Sequence, residues 1–78
     1  MKKKSEHAAL IQFGKRVARL RQGRAMSQEE LATEAGVHRT YIGMIERGEK
    51  NITILTMLRV TTALDVKLSD LLEDFEDE

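Results

Sequence analysis

Ser27 to Gly48, reading SQEELATEAGVHRTYIGMIERG, decides how this chain folds. Ser27 can accept from the free backbone N–H groups that open a helix, and Glu30, three residues on, can reach back to complete a capping box. Leu31, Ala32 and Ala35 then fall on one face, and Gly36 stands where the chain must take a left-handed turn that glycine adopts without strain. A second helical pattern resumes after Val37 and His38, turns Ile42 and Ile45 inward, and closes at Gly48. Between these inward positions Arg39, Thr40, Gly43 and Met44 are expected to face outward together. Two short helices joined by a glycine turn, with such a face on the second, form a unit able to read DNA.

Outward from this pair the chain continues as helix, with no proline to interrupt it. A first helix is predicted from about Glu6 to Arg21, with Leu10, Phe13, Val17 and Leu20 on one stripe, Lys15, Arg16, Arg19 and Arg21 off it, and Gly23 as its end. Thr53 caps a fourth helix, roughly Ile54 to Leu64, whose inward residues are expected to be Ile54, Met57, Leu58, Thr61 and Leu64. Asp65 and Val66 make a turn. A fifth helix starts near Leu68 or Ser69, and buries Leu71 and Leu72 or shares them with a partner. The expected organisation is one domain over 1–78 with its core in about 6–74, and with a basic start (1–5) and an acidic end (73–78) that are mobile. Leu55 and Phe75 lie off the inward stripes. With Leu68, Leu71 and Leu72 they suggest a self-complementary patch and a symmetric homodimer.

The 78 residues contain no cysteine, so neither a disulfide nor a thiolate metal site can support so small a core. No run approaches the roughly 18 apolar residues of a membrane span, and the start MKKKSEHAALIQFG lacks the features of a secretion signal. A cytoplasmic protein, with no membrane partner, is expected. The formal net charge of zero divides unevenly: residues 1–64 carry 12 basic and 6 acidic side chains, and residues 65–78 carry 1 and 7. The basic body suits phosphate, and the acidic end should point away from it.

The distributed pattern resembles the Cro and phage-repressor-like (Xre-type) helix-turn-helix family. It comprises Leu20 then Gly23, Met26-Ser27-Gln28, Leu31-Ala32, Ala35-Gly36-Val37, Ile42, Ile45-Glu46-Arg47-Gly48, Ala63-Leu64 and Leu71-Leu72. Within that family, His38-Arg39-Thr40-Tyr41-Ile42, Ile45-Glu46-Arg47 and Asn51-Ile52-Thr53-Ile54 are similar to the controller proteins of restriction-modification systems. The resemblance implies an all-α, five-helix, lambda-repressor-like DNA-binding domain with its helix-turn-helix at helices 2 and 3. It also implies a transcription regulator, activator and repressor alike, at the bacterial nucleoid, with no cofactor and no small-molecule ligand. The chain departs from the commoner pattern at Asp65, where glycine is frequent, at Ile52, where proline is frequent, and at Thr61 and Thr62.

Each candidate residue has a chemical reason. Arg39 can bond O6 and N7 of one guanine with its guanidinium fork, the alternative being a phosphate clamp. Thr40 offers a hydroxyl and a methyl, Met44 an apolar contact, and Gly43 close backbone approach. Gln28 can touch phosphate and brace the side chain at 39 or 40. Tyr41 offers its hydroxyl to a phosphate or base, or packs on the core, and His38, Lys50 and Asn51 are further backbone contacts. Arg16, Arg19 and Arg24 supply a long-range field, and Glu46 and Arg47 an internal ion pair or cap. Glu29, Glu30 and Glu34 form an acidic cluster, similar in position to the polymerase-touching surface of phage-repressor relatives, with a solvated helix face as the alternative. One reading helix spans too few base pairs to single out a site, so a dimer on double-stranded DNA carrying an inverted repeat is expected. His7 and His38 are the only histidines and lie on different elements, which argues against catalysis and against a zinc site. The rival readings are a phage or plasmid repressor and an antitoxin-like protein-binding module.

Overall fold

Five helices and no strand make up the described part of the chain, which in this computed structural model comprises the backbone of residues 3–74 and the side chains of residues 7–74. They are α1 (Lys3–Gly23), α2 (Gln28–Ala35), α3 (Arg39–Glu46), α4 (Ile54–Ala63) and α5 (Leu68–Leu71). The capping box of α2 forms as its sequence demands: Ser27 Oγ accepts from Glu30 N at 2.9 Å, and Ser27 N donates to Glu30 Oε1 at 2.8 Å. Thr53 caps α4 by accepting from Thr56 N at 3.1 Å.

Four helices end on the same left-handed turn, in which two successive N–H groups fold back on the last carbonyls. The turn residues are Ala25 (φ 57°), Gly36 (φ 74°), Gly48 (φ 72°) and Asp65 (φ 59°). The bonds from Met26 N to Arg21 O and from Val66 N to Thr61 O close the two turns that lack glycine. Helix α1 ends at Gly23 as expected, although the left-handed residue of its turn is Ala25 and not the glycine.

One core joins Phe13 and Val17 of α1, Leu31, Ala32 and Ala35 of α2, Ile42 and Ile45 of α3, Ile52, Val60 and Leu64 of the fourth segment, and Leu71 of α5. Leu10 and Leu20 pack against its edge. Each large side chain buried in this way stabilises the fold by about 1.5–3 kcal/mol. Helix α3 sits between α1 and α2, α4 packs on α2, and α5 bridges α1 and α4. Arg16 fixes that bridge by donating to Leu71 O at 2.8 Å and to Glu73 O, so it is a strut of the fold and not simply part of a distant field.

Helix α4 differs from expectation in its rotation. Its inward stripe is the half-buried Met57 with the buried Val60, Thr61 and Leu64, whereas Ile54 and Leu58 are exposed. Leu58 is one residue, or about 100°, away from Met57, and Ile54 begins the helix beyond the rim of the core. Thr61, buried as expected, satisfies its hydroxyl by donating to Leu58 O at 3.2 Å. No helix among the described residues is long and apolar enough to cross a membrane.

Candidate nucleic-acid interface

The reading surface is built on the first turn of α3. His38 caps that helix, its Nδ1 accepting from Thr40 N at 3.1 Å, which leaves Nε2 as the ring's outward donor. Arg39 and Thr40 are exposed and Met44 is half-buried, as the outward face requires. Gly43 is not part of that face. It is buried, and a Cβ built on it would lie 3.1 Å from Arg47 Nη1 and 3.7 Å from Gln28 Oε1, so two side chains cover the place where DNA backbone was expected to approach.

A polar network holds α1, α2 and α3 in register. Arg21 Nε donates to Glu46 Oε2 at 2.6 Å and Nη2 to Oε1 at 3.1 Å, while Nη1 reaches Met26 O at 2.8 Å. Gln28 Nε2 adds a bond to Glu46 Oε1 at 2.9 Å. Gln28 thus braces Glu46, and the expected brace to the side chain at 39 or 40 does not form. The hydrogen bond from Arg21 to Glu46 raises the Arg21 pKa above its ordinary value, against the lowering effect of burial, with the carboxylate's charge adding to the rise. The internal ion pair expected of Glu46 exists, and its partner is Arg21, a residue the sequence had set off the stripe. Arg47 does not share it. Its Nε donates to Glu49 Oε2 at 2.9 Å at the surface, and that bond raises the Arg47 pKa and lowers that of Glu49.

Tyr41 is half-buried against the core, and Lys50 Nζ lies 5.8 Å from its ring centroid, so the two expected backbone contacts are neighbours. Asn51 is exposed beside them in sequence. Of the three acids of α2, Glu30 is engaged in the capping box and Glu29 faces Arg39 at 3.9 Å, while Glu34 is exposed. The acidic cluster is thereby joined to the reading face through Glu29. Among the described residues no group of three His, Asp or Glu side chains could hold a metal ion.

Two glycines let α1 lie on the end of α3. A Cβ on Gly14 would meet Ile45 O at 2.2 Å, and one on Gly48 would meet Ile11 Cγ1 at 2.7 Å. Gly14 escaped the reading of the sequence, although a signal was present: it occupies an inward position of the Leu10, Phe13, Val17 stripe, where a side chain would be expected.

The apolar residues expected at a self-complementary patch divide. Leu55 and Leu72 are exposed, Leu68 is half-buried on the core, and Leu71 is fully buried within the monomer, which removes it from any patch. Phe75 lies outside the described residues. Ile54 and Leu58, expected inside, join Leu55 on the surface.

The family model for helix-turn-helix proteins matches residues 17–71, from the middle of α1 to the end of α5. The chain belongs to the helix-turn-helix family. The helix-turn-helix unit itself is α2 and α3, and the protein is a DNA-binding transcription regulator rather than an enzyme. Control protein C.BamHI of Bacillus amyloliquefaciens is 44% identical over 62 residues, covering 78% of this chain and 76% of the relative. The crystal structure of the restriction-modification controller protein C.AhdI from Aeromonas hydrophila superposes with a TM-score of 0.80 at 41% identity, covering 82% of this chain and 97% of that one. SinR, a Bacillus subtilis regulator solved in complex with DNA, superposes with a TM-score of 0.74 at 35% identity, covering 78% of this chain and 98% of the SinR chain.

Proposed function

We propose that this regulator binds as a homodimer to an inverted-repeat operator, and that it controls restriction-modification genes by activating and repressing from one operator region. The observation that carries the dimer is an unpartnered apolar row: Ile54 is 68% exposed, Leu55 61% and Leu58 45%, with Leu72 of the neighbouring helix at 41%. A monomer gains nothing by exposing these side chains, and a two-fold contact would bury each of them twice. Similarity to the control proteins C.BamHI and C.AhdI supports the genetic role.

In this reading each α3 enters a major groove. Arg39 and Thr40 meet base edges and Met44 a thymine methyl, with the guanidinium fork on guanine contributing about 1–3 kcal/mol of discrimination. His38 through Nε2, Gln28 through its second amide hydrogen, Tyr41, Lys50 and Asn51 contact phosphates. Glu29, Glu30 and Glu34 of α2 form the acidic surface offered to RNA polymerase. Mobility-shift titration of the protein's own upstream DNA tests the proposal. A dimer-stoichiometry complex that weakens with salt supports it, and a complex of one protomer per site refutes the dimer.

A further inference from the structure

Three ion pairs form among the described residues. Arg21 with Glu46 is internal, but the other two stand at the surface at opposite ends of α3. Arg39 Nη1 faces Glu29 Oε1 at 3.9 Å where the helix begins, and Arg47 Nε bonds Glu49 Oε2 at 2.9 Å where it ends. All four side chains are more than half exposed. Arg47 also lies over Gly43 beside Gln28, on the side of α3 that carries a candidate phosphate contact. Each exposed arginine of the reading helix is therefore matched to a carboxylate of its own chain.

We propose that Glu29 and Glu49 are built-in counter-ions of the reading helix, which weaken sequence-independent binding and so sharpen discrimination between operator and bulk DNA. The proposal rests on DNA binding through α3. Sequence-independent affinity comes from the release of cations when Lys and Arg neutralise phosphates. An arginine that leaves its own carboxylate for a phosphate strands that carboxylate beside a polyanion, where it takes up a cation and cancels the release. Guanine recognition escapes this cost. The guanidinium has five donors, so Arg39 can present one edge to the neutral O6 and N7 acceptors while another edge still faces Glu29. Glu29 thereby favours Arg39 as a base reader over a phosphate clamp. Glu49 withholds Arg47 from the backbone, so that Arg47 adds little to sequence-independent binding.

The test is a salt series of anisotropy titrations on two labelled duplexes of equal length, one from the upstream DNA of the gene and one of random sequence. For Glu49→Gln, the log-log salt slope on the random duplex should steepen by about 0.9 for each bound protomer, which amounts to roughly eight-fold tighter binding per protomer at about 0.1 M salt relative to about 1 M. The upstream duplex should gain less, so the specificity ratio falls. Glu29→Gln should lower the ratio in the same way, and the Arg47→Gln/Glu49→Gln double variant should lose most of the gain. An unchanged random-duplex affinity in Glu49→Gln, or a gain that persists in full without Arg47, overturns the proposal while wild-type binding leaves the DNA-reading function standing. A wild-type protein that binds neither duplex overturns both.

Discussion

At the scale of single residues, the position of α3 depends on groups that never touch its outer face. Gly14 is the sharpest case, because a methyl there would meet a backbone carbonyl that cannot move without shifting the end of α3. Gly14→Ala should gain about 1 kcal/mol of helix propensity and still lose about 1–3 kcal/mol overall through overpacking. Urea denaturation measures the difference, and a stabilised variant would show that α1 and α3 are not in such close contact. Glu46 is the polar counterpart: Glu46→Ala leaves Arg21 largely buried without its partner and should cost about 3 kcal/mol by the same measurement. Glu49 tests the surface pair. Its folded pKa is lowered by Arg47, so its contribution is present above the ordinary carboxylate range and is lost as pH falls through the lowered value. In an NMR titration the Glu49 carboxyl should therefore ionise below an ordinary glutamate, and Arg47→Gln should return it to the usual range.

At the scale of elements, local chemistry fixed the helix-turn-helix unit more firmly than its neighbours. The Ser27–Glu30 box and Gly36 leave α2 one way to start and one way to stop, so its boundaries and its buried Leu31, Ala32 and Ala35 could be read directly. Helix α4 carried no such instruction about rotation. ILTMLRVTTA has apolar residues nearly all round, and spacing alone could not show that Ile54, Leu55 and Leu58 face away from α2. Gln28 and Gly43 were misread for a related reason: which long side chain covers which backbone is decided by Glu46 and Arg47 arriving from the far end of α3. The left-handed turns make a separate prediction. Ala25 and Asp65 occupy a conformation that costs an L-residue about 1–2 kcal/mol, part of which glycine gives back as unfolded-state entropy. Ala25→Gly should be stabilising by about 0.5–1 kcal/mol, and Asp65→Gly by less, since Asp tolerates this region. In thermal melts the first should appear as a rise of about 2–8 °C for a domain of this size.

At the scale of the whole molecule, one reading helix and one apolar row are each incomplete. The row of Ile54, Leu55 and Leu58 lies on α4, which packs on α2 and so is joined directly to the reading unit. Pairing of two such rows would fix the spacing of two α3 helices, and the operator would need half-sites one helical turn apart, about 34 Å. Leu58→Glu should give a folded monomer in sedimentation velocity, with unchanged helical circular dichroism and strongly weakened binding to upstream DNA; an unperturbed dimer would place the interface elsewhere. The charge division acts at the same scale, since twelve of the thirteen basic residues lie in 1–64 and seven of the thirteen acids in 65–78. In the proposed complex Arg39 at the start of α3 reads guanine in each half of an inverted repeat. Dimethyl sulfate footprinting of the upstream DNA with wild type and Arg39→Ala tests it most directly. Guanine N7 protections are expected in two symmetric half-sites, centred about 10 base pairs apart, that disappear in Arg39→Ala. Protections that persist in Arg39→Ala, or that show no two-fold symmetry, would contradict it.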